Sequence, residues 1–422
     1  MNKLILGTLS VLSCNVQSSE IINVYTTGNT QNANKVKYNT TDEFNNKLLT
    51  AEKVHNLANN IRKDGSNLEK NDEPMDDVEC IEKFKCYFNS TMQALHASPS
   101  IRRMVEDLSK LGQQKDWYIS EEIKEIFDAI ENGTLNAHIE GAKYGQPNDK
   151  YEETIKSVAT KYANTIKKFA QKLKNNEAEQ QIQIRKDEAK KFGEQYTDAD
   201  AGKYRQNYKL SIPLDKHQRA YPRGTLEAIL NALAFEARDR EYTDIPYGFM
   251  QEAFKECKSQ HKEVLPEHMR LTLTMDNVHG QRSVSDNIRL YFTQGVPQGK
   301  CKTPGCTNNK PIRKFSTKRL PKVLIADVFC SNPKLKTEKK LTLHDMEGIK
   351  EYELVSTMDS IYADNPSKGH EIATVRLADN TWITIDDLLK NGVSPQGKQV
   401  EFEEKLPEDT HLTRDLLIYE AK

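Results

Sequence analysis

Apolar positions recur at helical spacing from Phe88 through Met92 to Leu95, with Asn89, Ser90 and Gln93 off that stripe. This predicts an amphipathic helix headed by Cys86. The same period returns over 101–111 and 121–130. From Tyr151 to Phe192 the chain is dense in Lys, Glu, Gln and Ala and nearly free of Gly and Pro, with few apolar anchors. That composition predicts one or two long exposed helices, a charged insertion or arm at about 145–210. Thr225 to Ala237 is apolar enough for a core helix.

Beyond Pro246 the period changes from helix to strand. Met269 to Thr274 alternates, although Val284 to Phe292 is helical again. Pro321 to Phe329 is a nearly continuous apolar run, suited to a buried strand. Glu351–Met358, Glu371–Leu377, Thr381–Ile385 and Arg414–Tyr419 read as further strands, with a turn at Asp379-Asn380. Helices come first and strands later, so the fold class is α+β. The folded domain is expected over 78–422. Residues 15–77 are polar and Asn-rich, and predict a mobile linker. Residues 1–14 hold Lys3, an apolar Leu4–Leu12 run and Cys14, the pattern of an export segment with lipoprotein-type anchoring through Cys14. The run is too short to span a bilayer.

A formal net charge of -1 argues against nucleic acid as a partner. The 7 cysteines are odd in number and scattered, which argues against a disulfide framework. One of them has a better use. A cysteine at a helix start faces unpaired backbone N–H groups and the positive end of the helix dipole, both of which favour thiolate. His370 begins one strand and Asp386 ends the next. Strands joined by a short turn are antiparallel, so these two residues fall at the same end of a hairpin. A thiol, an imidazole and an orienting acid are the parts of a cysteine-nucleophile site.

Cys86-Tyr-Phe-Asn-Ser-Thr-Met-Gln-Ala-Leu resembles the cysteine box of the ubiquitin-specific proteases, papain-like deubiquitinases. Lys318-Arg-Leu-Pro-Lys-Val-Leu-Ile resembles the strand ahead of that family's histidine box. Tyr352–Met358, Gly369-His370 and Trp382–Asp386 resemble the box itself, and Leu416–Tyr419 its terminal strand. The resemblance implies a helical thumb, a β palm and β fingers at about 250–315. It also implies ubiquitin or a ubiquitin-like protein as partner, and hydrolysis of the bond after that protein's C-terminal glycine. Cys86 would be the nucleophile, His370 the general base and acid, and Asp386 the orienting acid, with Asp387 the alternative.

The chain also departs from the pattern. The oxyanion Asn that the family carries before the cysteine is missing from Ile81–Lys85. Glu371 replaces the aromatic after the histidine, and Arg223-Gly-Thr-Leu-Glu stands where a Gln-Gln-Asp-Ala stretch is usual. These changes leave open a catalytically impaired ubiquitin-binding module, or a cysteine protease or acyltransferase unrelated to ubiquitin. No cofactor is needed for catalysis. Cys257, His261, Cys301 and Cys306 resemble widened zinc knuckles of the fingers and imply a structural zinc. Export of such an enzyme suggests a bacterial effector that acts in a host cell.

Overall fold

The computed structural model describes residues 86–422 apart from 113, 133–148, 213, 215–221, 257–261, 275–282, 294–295, 298–302, 305, 307–311, 318, 329–334, 346–347, 362–369, 386–397, 405 and 407–411. The expected export segment and linker therefore lie outside the described residues. Among those described, no helix is long and apolar enough to cross a membrane.

Helices dominate the first half: α1 (Cys86–Ala97), α2 (Pro99–Lys110), α3 (Ser120–Asn132), α4 (Asp149–Lys191), α5 (Asp198–Asn207) and α6 (Pro222–Asp239). Every residue of α1 is buried, on the polar side of its stripe as well. Two of its hydroxyls are satisfied within the helix: Thr91 Oγ1 donates to the Tyr87 carbonyl at 2.7 Å and Ser90 Oγ to the same oxygen at 3.2 Å. The helix stops at Ser98-Pro99. Ser98 caps α2 by accepting from the Ile101 N–H, and Pro99 is set at the first turn, where a missing N–H costs nothing.

The described strands make two sheets. β1 (Phe249–Glu256), β2 (Lys262–Arg270), β4 (Val296–Pro297) and β5 (Ile312–Thr317) form a four-stranded sheet in the order β2-β1-β5-β4. The larger sheet holds β3 (Leu273–Thr274), β6 (Val323–Asp327), β7 (Lys340–Asp345), β8 (Gly348–Ile361), β9 (His370–Arg376), β10 (Trp382–Ile385), β11 (Lys398–Val400) and β12 (Leu412–Ala421). Its order is β11-β10-β9-β8-β12-β6-β3, with β7 added on β8. Pairing is antiparallel except between β3 and β6. Helix α7 (Val284–Thr293) separates the first strands from the rest.

Both faces of the large sheet are covered. Met358, Leu416 and Ile418 join Tyr87, Phe88 and Met92 in a core shared with α2, α3, α4 and α6. On the other face Tyr352, Leu354, Leu417 and Tyr419 pack with Trp382 and Phe402. The buried run expected around residue 325 is β6, buried at all five positions.

One expectation needs correction and two elements were not foreseen. The segment expected as exposed helices is a single helix, α4, and its middle is core: Ile166, Phe169, Leu173 and Ile182 are buried. Phe169 meets Phe88 of α1 with ring centroids 5.3 Å apart. Beyond Ile182 the helix becomes a solvated arm, and Phe192, just past its last residue, is 79% exposed. Helix α5 was not anticipated, although Thr197 and Asp200 form a reciprocal capping box at its start. Strand β7 was missed, although Leu341 and Leu343 alternate with exposed neighbours.

Candidate active site

Cys86 is the first residue of α1 and is 6% exposed. Two contacts fix where that residue points. Ser356, opposite Val375 in the β8–β9 register, donates its hydroxyl to the Ala94 carbonyl at 3.0 Å. Ala97 packs with Val375, Leu377, Ile383 and Ile385. The last turn of α1 therefore lies over the far end of β9. From Ala94 back to Cys86 the helix rises about 12 Å. From Val375 back to His370 the strand spans about 16 Å. Since α1 lies along β9, Cys86 comes to the His370 end of the sheet.

His370 opens β9 opposite Ile361 and is 8% exposed. β10 returns beside it through a tight loop. The Leu377 N–H donates to the Thr381 carbonyl at 2.8 Å, and Asn380 takes φ 66°. Asn is among the few residues that adopt this left-handed conformation readily. The Asp379 carboxylate accepts from the Thr381 N–H and hydroxyl, which completes the turn. Ile385, the last residue of β10, pairs with Ala373, three positions beyond His370. Asp386 and Asp387 follow it in the sequence and lie outside the described residues.

The sequence reading missed a set of acids beside His370. Ser360 pairs with Glu371 and its Oγ lies 2.7 Å from Glu371 Oε1. The same Oγ makes a short hydrogen bond to Asp415 Oδ2. Asp415 is 3% exposed. Burial first, then the Glu371 carboxylate, push its carboxyl up to about 9 against the bond to Ser360, with Asp359 and Asp327 adding to the rise. Asp359 is pushed up to about 6 by burial, while Arg414 and the Thr357 hydroxyl pull it down. Nearby, Arg223 of α6 holds Asp327 at 2.7 Å and Glu227 at 3.2 Å. Arg223 and Glu371 were visible only as departures from the family pattern. Nothing local marked Asp415, because a bulge between Arg414 and Leu416 brings it into this group.

Of the four residues expected to hold zinc, Cys306 alone lies among the described ones, half-buried in a turn closed by its N–H on the Thr303 carbonyl at 3.1 Å. The strands around the other three converge. Glu256 pairs with both Lys262 and Ile312, and Pro297 with Ile312. The β1–β2 connection, which contains Cys257 and His261, and the β4–β5 connection, which contains Cys301 and Cys306, thus leave the small sheet at one end. No group of three or more potential ligands occurs among the described residues.

The family model described as ubiquitin carboxyl-terminal hydrolase matches residues 82–407. No curated protein sequence matches the chain. Among solved structures, the yeast SAGA deubiquitinating module with an Sgf73 mutant is 12% identical, with a TM-score of 0.44, and covers 84% of this chain and 72% of its own. The Ubp8 module bound to ubiquitin aldehyde is 12% identical, with a TM-score of 0.47 and the same two coverages. The form bound to monoubiquitin is also 12% identical, with a TM-score of 0.46, covering 85% and 72%. With the family model spanning the described helices, strands β1 to β11 and both Cys86 and His370, the chain belongs to the ubiquitin carboxyl-terminal hydrolase family.

Proposed function

We propose that the protein is an active thiol hydrolase that cleaves the bond after the C-terminal glycine of ubiquitin or a ubiquitin-like protein. The observation that supports this reading is the lie of α1 along β9 with its last turn over the Val375 end, which directs Cys86 toward the His370 end. His370 takes the proton of the Cys86 thiol, and the sulfur attacks the glycine carbonyl carbon. The C–N bond breaks as the imidazolium protonates the leaving lysine amine, which leaves a thioester. Water, giving a proton to His370, then attacks that carbonyl and releases the Cys86 sulfur. Asp386 holds the imidazole ring and stabilises its cation. The backbone N–H groups at the start of α1 are the donors that replace the missing side-chain amide. Loss of one oxyanion donor costs about 3 kcal/mol in comparable sites, so slow turnover is expected.

The missing amide in Ile81–Lys85 supports a second reading, a ubiquitin-binding relative that no longer cleaves. Single-turnover hydrolysis of ubiquitin carrying a C-terminal fluorogenic amide separates the two. Hydrolysis by the wild type and none by Cys86→Ala supports the first; tight binding without hydrolysis by either supports the second.

We also propose a structural zinc held by Cys257, His261, Cys301 and Cys306 at the end of the small sheet. The shared end of its two connections supports this. Bound there, the ion would fix the finger tip and take no part in the reaction.

A further inference from the structure

We propose that Glu371, Ser360 and Asp415 form a one-proton clamp that holds β8, β9 and β12 together where the sheet presents His370, which makes them positioning residues for the reaction. The proposal rests on the reading of His370 as the catalytic base.

Ser360 has one hydroxyl hydrogen, and an ionised carboxylate only accepts. Yet its Oγ is bonded to a carboxyl group on each side, Glu371 at 2.7 Å and Asp415 through a still shorter contact. Both bonds exist together only if one carboxyl carries a proton and donates it. The site favours that state: Asp415 is 3% exposed, and burial disfavours the charged form. The three residues belong to three adjacent strands, so the chain of bonds crosses the sheet. Ser360 and Glu371 are paired residues of β8 and β9, one step from the Ile361–His370 pair. Asp415 is the extra residue of the β12 bulge, and its carbonyl accepts the Val328 N–H at 2.8 Å.

The other charges facing Asp415 make loss of the proton costly. Glu371 faces it from β9, Asp359 from β8 and Asp327 from β6. Arg223 of α6 neutralises Asp327, and Arg414 of β12 stands 3.7 Å from Asp359. Thr413 Oγ1 lies 3.4 Å from Asp415 Oδ1. Helix α1 brings no carboxylate, Lys or Arg. Removing the proton leaves two carboxylates sharing one hydroxyl hydrogen, with Asp359 beside them. The folded-state value lies above that of an unfolded carboxyl, so the folded protein holds this proton more tightly. Its stability consequently falls as pH rises from about 4, the unfolded value, towards the folded value of about 9. Above that the clamp is open.

The test has two readouts in wild type and Asp415→Asn, whose amide donates to Ser360 at any pH. Backbone hydrogen exchange, corrected for intrinsic rates, is followed across residues 356–361 and 370–376 from about pH 7 to 10.5. Hydrolysis of the fluorogenic ubiquitin amide is followed over the same range, each protein scaled to its own neutral value. In the wild type, protection is expected to fall roughly tenfold for each pH unit up to about 9 and to level off above it, and kcat to fall as the clamp opens near that pH while KM holds. In Asp415→Asn both changes should vanish. Ser360→Ala should show reduced protection already at neutral pH. Identical pH profiles in wild type and Asp415→Asn would overturn the clamp, as would full protection in Ser360→Ala. If protection switches as described in a protein that hydrolyses nothing, the clamp stands and the reading of His370 as base fails.

Discussion

His370 is buried at the first position of β9, so in the proposed reaction its ring acts from a held position and not by free motion of the side chain. General acid–base groups typically contribute 10²–10⁴-fold, and His370→Ala should lower single-turnover hydrolysis by about that factor. Asp386→Asn should cost less, since in the proposed mechanism the acid orients the ring and takes no proton. Asp387→Asn should cost less still. The ratio of the three rates checks the assignment, and a larger loss in Asp387→Asn than in Asp386→Asn would exchange the two acids. The places of Cys86 and His370 were legible, because each stands at the start of an element that the local period marks. Glu371 and Asp415 were not: their partnership depends on a strand register and a bulge that local periodicity does not reveal.

Among the elements, α1 has the most to satisfy. It meets α4 through Phe88 and Phe169, α3 through His96 and Phe127 with ring centroids 5.0 Å apart, and β8 through Ser356. The position of Cys86 is thus set from both sides. The helical period of α1, α2, α3 and α6 was readable because their apolar stripes are dense. In α4 the stripe is spaced widely among lysines, and the sequence suggested an arm where the structure has a core helix with an exposed end. The difference is measurable. Phe169→Ala should destabilise the fold by about 3–5 kcal/mol through the cavity it leaves against Phe88. Phe192→Ser, at the exposed end of the same helix, should change stability by less than about 0.5 kcal/mol. Denaturant unfolding of both variants checks this, and equal midpoints would mean that α4 does not support α1.

For the molecule as a whole, the switch from helical to strand period near Pro246 correctly marked an α+β chain. The two-sheet arrangement came from the family resemblance and not from period, because β1, β2 and β5 carry charged residues at many positions. If the small sheet ends in a zinc site, protein purified without chelator should contain about one zinc per chain. Cys306→Ser should lower both metal content and thermal stability, since structural zinc is coupled to the folding of its loops. A zinc content near zero would remove the metal and leave the thiol chemistry as it is. That chemistry is tested most directly by mapping the covalent adduct formed with ubiquitin bearing a C-terminal thiol-reactive group. The expected result is a single adduct on Cys86 in the wild type and none in Cys86→Ala; an adduct on any other cysteine, or binding with no adduct at all, would contradict it.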